Sequence, residues 1–407
     1  MNPLNTIKIN ICFIFYFFCF AAIAACQKSE LESNEVKKEG DPMVPRIDFV
    51  EMDIEQPHED DTAVIWYDDF STEKLYMEQR GGIDKNMKYG VSGGSADFGF
   101  NAGDVTGRGD RKVAFGDFPN SSNTVRSEES FDDIYWRIYV KHELGWRGAP
   151  AKVSRATSIV ASDWSQAMIL HLWSSGDRDN VSLDPASGVK GQADTIITKK
   201  YNDFDNLIWL GNMSSEFELT STKESGYWIP VEVRAKLNTP GNSDGVMELW
   251  IDGRLEVVNT ELNFRGSYIE HGINAVFLES YWNSGAIKKQ GRWFDNFVIS
   301  TQPIGPVVTS ANPKLYKTPY GGAGELSEWV VELASDSEGE DIVFQSEELG
   351  IIEKVEINTN SGSFVGSLTG KSSLELGQIY YVRVRQSNTY GNWSEWSRWH
   401  QPFKVKG

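Results

Sequence analysis

Residues 167–176 read AMILHLWSSG and place a titratable side chain inside an apolar strand. Side chains of a strand alternate between its two faces, so His171 and Trp173 share one face. The other face carries Met168, Leu170 and Leu172, which form the natural core set. We therefore expect His171 and Trp173 to point away from the core, where an indole beside an imidazole suits a stacked sugar ring next to a group that can move a proton. The alternative is a histidine that only packs within its strand.

Two further segments collect charge on one strand face. The segments YWRIYVKH (135–142) and VEVRAKLN (231–238) alternate apolar and polar residues, which is typical of antiparallel strands with one buried face. A groove lined by their cations would suit an anionic ligand such as a uronate or a sulfated glycan. The alternative is an ordinary solvated sheet face. The residues that carry the groove hypothesis are Arg137, Lys141, Arg234 and Lys236.

The chain as a whole is acidic. Its 407 residues include 39 Lys and Arg against 58 Asp and Glu, a formal net charge of −19. Nucleic-acid binding needs clustered cations that neutralise phosphates, so we expect no nucleic-acid partner. The 14 Trp residues are many for a chain of this length, and they either pack cores or stack on ligands such as sugar rings.

The N-terminus predicts export. Residues 1–25 combine one early lysine with a short apolar run, which is typical of a signal peptide. The run ends in Ile-Ala-Ala-Cys, which resembles a bacterial lipobox and would make Cys26 the lipid anchor. The alternative is an ordinary secretory signal cleaved near Ala25. We expect the protein to be lipid-anchored to the cell envelope, at the outer membrane or cell surface, with residues 26–61 as a polar, disordered tether.

The rest of the chain predicts an all-β protein of two domains. Residues 62–305 alternate short strands with Gly, Asn, Asp and Ser clusters, which favours one large β-sandwich. Residues 306–407 contain about seven shorter strand-like segments, the size of an immunoglobulin-like sandwich. The clearest strands of the large domain are predicted at 63–70, 133–142, 166–173, 228–238, 245–256, 274–282 and 292–300.

The last segment, YYVRVRQSNTYGNWSEWSRW (380–399), resembles the end of a fibronectin type III domain. Its WSEWS run matches the WSxWS pattern of such domains. There the tryptophans stack against arginines of a neighbouring strand, so the resemblance implies that Trp393 and Trp396 stack on Arg383 and Arg385. We expect this ladder to stabilise the domain and not to bind a ligand.

Three fragments of the large domain resemble the concanavalin A-like jelly roll of bacterial polysaccharide lyases and their exported relatives. They are YWRIYVKHELGW (135–146), WIPVEVRAKLNTPGNSDGVMELWIDGR (228–254) and RWFDNFVISTQPIGP (292–306). The resemblance implies a large jelly-roll sandwich and the cleavage of an anionic, uronate-containing polysaccharide by β-elimination. That reaction needs a group that neutralises the carboxylate, a base for the C5 proton and an acid for the leaving oxygen at C4.

Shorter fragments partly match the alginate-lyase pattern and imply the reacting groups. TVRSEES would contribute Arg126, ILH would contribute His171, and VFLESYWNSG would contribute Tyr281, although Ile169 stands where the pattern has glutamine. The resemblance implies that Arg126 and Arg137 neutralise the carboxylate. It implies His171 as base or carboxylate partner and Tyr281 as acid or acid/base, with Tyr139 as the substitute tyrosine. The expected substrate-binding residues are Trp173, Lys141, Arg234, Lys236, Trp250 and Trp282.

Two other function classes stay open. A surface glycan-binding lipoprotein would need only the aromatic platforms. A jelly-roll glycoside hydrolase would need paired carboxylates; the usual Glu-x-Asp-x-x-Glu strand is absent, and only separate residues such as Glu232 and Glu248 could supply them. We expect no required cofactor. A structural Ca²⁺ at 203–206 or 294–296 is an option, since these Asp and Asn residues suit either calcium or turns. We expect a monomer.

Overall fold

The computed structural model describes residues 44, 49–52, 54–55, 60–89, 93–119 and 123–407. The predicted signal peptide (1–25), the anchor Cys26 and most of the predicted tether lie outside the described residues. Among the described residues, no helix combines the length and the apolar character needed to cross a membrane.

The described residues form β-strands and two short 3₁₀ helices, at Thr222–Glu224 and Gly366–Leu368. In chain order the strands are β1 (Phe49–Met52), β2 (Ile54–Glu55), β3 (Val64–Asp68), β4 (Glu78–Arg80), β5 (Ile83–Asp84), β6 (Ser95–Asp97), β7 (Asp110–Phe115), β8 (Thr124–Val125), β9 (Asp133–His142), β10 (Lys152–Ile159), β11 (Gln166–Ser174), β12 (Val181–Ser187), β13 (Ile208–Trp209), β14 (Met213–Ser214), β15 (Trp228–Lys236), β16 (Gly245–Ile251), β17 (Arg254–Leu262), β18 (Ala275–Tyr281), β19 (Arg292–Ser300), β20 (Val307–Thr309), β21 (Lys314–Lys317), β22 (Leu326–Ala334), β23 (Ile342–Ser346), β24 (Lys354–Glu356), β25 (Gly362–Phe364), β26 (Ile379–Asn388) and β27 (His400–Val405).

Two large sheets form a sandwich between β3 and β19. The nine-stranded sheet has the order β13-β12-β11-β10-β18-β7-β4, with β14 beside β12 and β8 beside β7. The eight-stranded sheet has the order β17-β16-β15-β9-β19-β6-β5, with β3 beside β19. Alternate residues of both sheets fill one core between them. That core includes Met168, Leu170, Leu172, Ile134, Trp136, Ile138, Val231, Val233 and Phe294.

The predicted all-β fold class is confirmed. Each of the clearest predicted strands is found as a strand in the structure, except that the single strand predicted at 245–256 divides at residues 252–253 into β16 and the start of β17. The alternation predicted for β11 also holds, because its Met-Leu-Leu set lies in the core. A large sandwich with two broad outer faces results.

Two further sheets, formed by β1, β2 and the strands after β19, enclose a second core. They are a seven-stranded sheet, β2-β20-β27-β26-β22-β23-β25, and a three-stranded sheet, β1-β21-β24. The predicted stacking ladder is present on this part: Arg385 lies 4.5 Å from the ring centre of Trp393 and 4.6 Å from that of Trp396, and Arg383 lies 4.6 Å from that of Trp396. The same Arg383 also stacks on Trp399, at 4.5 Å. The identification of this part with a fibronectin type III domain stays a prediction.

Two short strands correct the predicted tether. Residues 49–52 pair with β21 and residues 54–55 pair with β20, so this stretch belongs to the C-terminal sheets. Met52 is fully buried in their core. Sequence composition did not predict these strands, because residues 26–61 as a whole are polar and acidic and the apolar stretch within them is short.

The C-terminal sheets cover part of the eight-stranded sheet. The buried cluster on that side joins Tyr139 and Trp228 of the large sandwich to Val307 and Phe403 of the C-terminal part. The connection between the two parts is held by Glu232, whose carboxylate accepts hydrogen bonds from the backbone N–H groups of residues 304 and 305, at 2.8 and 2.7 Å. The outer face of the nine-stranded sheet has no such cover from these sheets.

Candidate functional site

Three side chains of different chemistry form a row across the outer face of the nine-stranded sheet. Lys152 of β10 lies directly opposite Trp173 of β11 and directly opposite Tyr281 of β18. Neighbouring strands are about 4.8 Å apart, so an indole, an amine and a phenol follow one another at close spacing. The Lys152 ammonium lies 5.4 Å from the ring centre of Tyr281. Tyr281 is 37% exposed, and we call these three residues the reactive row.

A β-bulge puts Lys152 on this face. The register of β10 shifts between Lys152 and Ser154 against both neighbouring strands. Ser154 faces the core, where its hydroxyl accepts a hydrogen bond from the indole of Trp136 at 3.0 Å, and Val153 also packs in the core. The extra residue of a bulge changes which face the next side chain takes. Lys152 and Arg155 therefore point the same way although they are three residues apart.

A buried ion pair lies beside the reactive row. Glu279 of β18 accepts two hydrogen bonds from the guanidinium of Arg155, at 2.9 and 2.5 Å, and lies 3.6 Å from the ammonium of Lys152. Burial alone would raise the pKa of Glu279, but the positive charges of Arg155 and Lys152 lower it to about 2. Burial lowers the pKa of Lys152, and Glu279 opposes that change. This carboxylate thus fixes the positions of two cations.

The segment from the end of β12 through β13 (residues 188–209) folds over part of the same face. The hydroxyl of Tyr201 and the amide oxygen of Asn202 each accept a hydrogen bond from Arg155, both at 2.5 Å. Further along the segment, the rings of Phe204 and Trp209 lie 6.1 and 6.0 Å from that of His171. The segment covers Arg155 and His171 but leaves Lys152, Trp173 and Tyr281 at least partly open.

His171 occupies the predicted face, yet its ring is enclosed. The imidazole stacks on Trp173 with ring centres 4.2 Å apart and planes 7° apart, and it is only 1% exposed. Neither ring nitrogen has a hydrogen-bond partner of good geometry, although the backbone of Asp184 beside it favours the protonated form. Burial and the positive charge of Arg155 lower the pKa of His171 well below its ordinary value. The ring is therefore neutral and supports the indole.

A cavity of about 470 Å³ opens next to the reactive row. Trp173 and Trp282 form aromatic parts of its wall, and Asp184 of β12 contributes a half-buried carboxyl. Burial raises the pKa of Asp184 to about 6, while a hydrogen bond from Trp173 lowers it. The remaining lining is mostly small and polar: Ala149, Ala151, Ser174, Ser175, Gly176, Asp177, Arg178, Ser182, Asn212, Asn283 and Ser284. Indoles with hydroxyl, amide and carboxyl groups are a suitable lining for a sugar ring.

Arg126 lies away from the reactive row. It follows the two-residue strand β8, which pairs with β7, and β10 and β18 separate β7 from β11. Its guanidinium pairs with Glu129 and donates to the backbone oxygen of residue 62 at 2.9 Å. The prediction that Arg126 lies together with His171 and Tyr281 is therefore corrected. The backbone of Arg126 is left-handed (φ 49°), so the strand β8 ends before this residue.

Arg137, Tyr139 and Lys141 lie on the other sheet. They occupy the outer face of β9, as the alternation predicts, but this face is covered and all three are buried, with exposed fractions of 1, 0 and 7%. Arg137 donates to the backbone oxygen of Gly305 at 2.8 Å, and the hydroxyl of Tyr139 accepts from the backbone N–H of Val307 at 3.1 Å. The prediction that they line an open groove is therefore corrected: all three are buried, the chain after β19 covers Arg137 and Tyr139, and Tyr89 stacks on Tyr139 with ring centres 4.5 Å apart.

The other cations of the predicted groove are also on the eight-stranded sheet. Arg234 forms two hydrogen bonds with Asp133, at 3.0 and 2.8 Å, and one with Glu248 at 3.2 Å, so its charge is neutralised locally. Lys236 is half-buried on the same strand. Glu248 pairs with Arg234, and Glu232 binds the backbone of the connection after β19. These two carboxylates therefore do not form an open pair of the hydrolase type.

Trp250 and Trp282 occupy different surroundings. Trp250 lines a cavity of about 240 Å³ between the large sandwich and the C-terminal part, together with Arg137 and several prolines. Trp282 lines the cavity beside the reactive row and stacks on Trp146, with ring centres 5.9 Å apart. The structure therefore brings together His171, Trp173, Tyr281 and Trp282 among the predicted residues.

Sequence reasoning missed Lys152, Arg155, Glu279 and Asp184. Strand β10 reads KVSRATSI, in which polar residues on both faces and a bulge obscure the alternation. Glu279 was available as a signal, since it lies two residues before Tyr281 and so shares its face. Asp184 could be placed only by pairing β12 with β11, where it lies opposite His171.

In the two segments predicted as calcium sites, the aspartate carboxylates accept hydrogen bonds from backbone N–H groups and from an asparagine side chain. Asp203 accepts hydrogen bonds from the N–H of Lys199 and the amide of Asn206, both at 2.8 Å. Asp295 accepts from the backbone N–H groups of Tyr89 and Asn296. Among the described residues, no group of three or more His, Cys, Asp and Glu side chains is arranged to hold a metal ion. The surroundings of these aspartates do not fit a calcium site.

No protein-family model matches the chain, and no curated protein matches it. Solved structures similar to it include an endo-β-1,4-glucuronan lyase from Trichoderma reesei (TM-score 0.37, 11% identity, 62% of this chain and 94% of that one). Another is a marine alginate lyase from Aplysia kurodai, with a TM-score of 0.37 and 14% identity over 59% of this chain and 100% of that one. A third is a botulinum neurotoxin binding domain, with a TM-score of 0.33 and 10% identity over 75% of this chain and 66% of that one. With TM-scores and identities this low, the activities of these proteins cannot be assigned to this chain.

Proposed function

We propose that this protein cleaves a uronate-containing polysaccharide by β-elimination on the outer face of the nine-stranded sheet. The observation that carries the proposal is the reactive row, in which Trp173, Lys152 and Tyr281 follow one another on three adjacent strands. This reaction needs an aromatic platform to bind a sugar ring, a cation to neutralise the carboxylate, and a group such as a phenol to transfer the proton.

The chemistry divides among the three groups. The ammonium of Lys152 pairs with the uronate carboxylate and stabilises the charge that develops when the C5 proton leaves. The oxygen of Tyr281, acting as the phenolate, takes that proton, and the phenol so formed gives it to the departing O4 oxygen, which regenerates the phenolate. The C5–H and C4–O bonds break, a C4=C5 double bond forms, and one chain becomes two. The indole of Trp173 holds the neighbouring sugar by stacking.

His171 and the ion pair have positioning roles in this proposal. The ring of His171 is enclosed by aromatic rings, so it does not touch the polysaccharide and instead fixes the plane of Trp173. Glu279, which is itself fixed by Arg155, holds Lys152 at the edge of the open face. The cations expected at Arg126 and Arg137 are replaced in this role by Lys152.

We also propose that the protein is exported and lipid-anchored through Cys26 at the cell envelope. The support is the sequence Ile-Ala-Ala-Cys at the end of the apolar N-terminal run. Mass spectrometry of the membrane fraction tests this proposal, with diacylglyceryl modification of Cys26 as the expected result. Its loss in Cys26→Ser, with release of the protein from membranes, completes the test; an unmodified residue 26 contradicts it.

Incubation with purified polysaccharides tests the lyase proposal. We expect ultraviolet absorbance of the unsaturated uronate with at least one of alginate, glucuronan, ulvan and the glycosaminoglycans. The control is Tyr390→Phe, because Tyr390 is an exposed tyrosine of the C-terminal part, and it should retain the wild-type rate. Absence of absorbance on every polymer contradicts the proposal, and new reducing ends without absorbance indicate a hydrolase.

A glycan-binding protein without turnover is the second candidate. The observation that favours it is the exposure of Trp209 and Phe204, 41 and 40%, at the edge of the same face. Exposed aromatic platforms bind sugars without any reacting group. Retarded migration in gels that contain a polysaccharide, with no product formed from it, would identify this function.

A further inference from the structure

The cavity beside the reactive row differs in charge from the row itself. Asp177 and Asp184 bring two carboxylates to its wall, against the single guanidinium of Arg178. Arg178 is tied to its own turn, since it donates to the backbone oxygen and the hydroxyl of Ser175, at 3.3 and 2.7 Å. Among the described residues, no ion pair joins either aspartate to a cation. One strand away, Lys152 supplies positive charge.

The cavity is close enough to hold the sugar next to the reacting one. Trp173 belongs both to the cavity wall and to the reactive row, where it lies opposite Lys152. On the other side, Trp282 lines the cavity and directly follows Tyr281 in the chain. Because one strand spacing is about 4.8 Å, close to the length of one pyranose unit, neighbouring sugars would occupy the row and the cavity.

The lining selects the kind of sugar that fits. The partly exposed indole of Trp173 can stack on the C–H face of a pyranose, and the exposed amides of Asn212 and Asn283 can bind ring hydroxyls. The carboxylate of Asp184 accepts hydrogen bonds from hydroxyl groups but repels a second carboxylate at short range. A half-buried position makes this repulsion stronger than it would be in water.

We propose that this cavity binds a neutral sugar unit next to the reacting uronate, so that the substrate is a heteropolysaccharide in which uronate and neutral sugars are neighbours. This inference rests on the proposed function for its reacting uronate. It assigns Asp184 as the residue that discriminates against polymers made of uronate alone. Such a preference separates this chain from an enzyme for alginate or glucuronan.

Steady-state kinetics on two kinds of polymer test the inference. We expect kcat/KM for unsulfated hyaluronan, in which uronate and a neutral amino sugar alternate, to exceed that for glucuronan by at least about tenfold. In Asp184→Asn, which keeps the shape but removes the charge, this ratio should fall at least about tenfold. The control Asp194→Asn, at an exposed loop position, should leave the ratio unchanged. Equal or greater activity on glucuronan in the wild type overturns the inference.

Binding separates failure of this inference from failure of the lyase proposal. If the wild type forms no unsaturated product from any polymer, the lyase proposal is wrong. The cavity is then judged from affinity electrophoresis of the wild type and Asp184→Asn on the same two polymers. Tighter binding of hyaluronan by the wild type, reduced towards equality in Asp184→Asn, supports the inference. Equal binding of both polymers, or tighter binding of glucuronan, overturns it; should Asp184→Asn fail to fold, the wild-type comparison decides alone.

Discussion

The outer faces of the two large sheets carry similar residues but differ in what covers them. On the eight-stranded sheet, Arg137 and Tyr139 bind the backbone of the connection after β19 and lie under the C-terminal sheets. On the nine-stranded sheet, Lys152 and Tyr281 form a comparable pair of cation and phenol, and Tyr281 remains exposed. A polar strand face is therefore a candidate site only where no other part of the protein covers it.

The two tyrosines give the largest expected contrast. Tyr281→Phe removes the hydroxyl that moves the proton and should lower kcat by about 10²- to 10⁴-fold. Tyr139→Phe removes only the acceptor for the N–H of Val307 and should cost about 1 kcal/mol of unfolding free energy without changing kcat. Initial rates and urea unfolding of both variants measure these effects. A loss of kcat in Tyr139→Phe alone would return the site to the eight-stranded sheet.

The next largest contrast is in unfolding free energy, between substitutions of two arginines that differ in burial. Arg155→Met leaves Glu279 buried without its main partner and should destabilise the fold by about 3–5 kcal/mol. Arg126→Met breaks a pair whose side chains are 26 and 45% exposed and should cost about 0.2–1 kcal/mol. Urea denaturation of each variant measures the difference. The double variant of Arg155→Met with Glu279→Gln should recover part of the loss, since it leaves no unpaired charge; equal costs for the two single variants would contradict the assigned roles.

The low pKa of Glu279 predicts a window of acid sensitivity. Its folded-state pKa of about 2 lies below the ordinary 4.5, so its charge stabilises the fold fully above about pH 4.5 and progressively less as the pH falls towards 2. The contribution is on the order of 3 kcal/mol. Unfolding free energies measured between pH 5 and pH 2 should fall more steeply in the wild type than in Glu279→Gln. Parallel curves would mean that Glu279 is not charged in the folded state.

Two tryptophans give the smallest contrast. Trp209→Ala removes an exposed ring at the edge of the nine-stranded sheet and should weaken polysaccharide binding by about 1 kcal/mol. Trp250→Ala changes the cavity between the large sandwich and the C-terminal part and should leave that affinity unaltered. Affinity electrophoresis compares them directly. A larger effect of Trp250→Ala would favour the junction as the glycan site.

Alternation along single strands predicted more of the fold than of the site. The shared face of His171 and Trp173, and the outward positions of Arg137 and Tyr139, follow from strand periodicity and are found in the structure. Three features lie beyond that periodicity. The bulge at Val153 turns Lys152 outward, the segment with Tyr201 and Trp209 folds over His171, and the C-terminal sheets cover β9. Each depends on contacts between residues far apart in the chain, which no local pattern encodes.

Hydrogen exchange tests most directly which face binds the polysaccharide. The inactive Tyr281→Phe variant can be measured with and without the polymer that the wild type cleaves fastest. We predict slower amide exchange in the turns at 174–180 and 282–285, which border the reactive row and its cavity, with no change at 302–306. Slower exchange confined to 302–306, beside Arg137 and Trp250, would contradict the assignment of the site to the nine-stranded sheet.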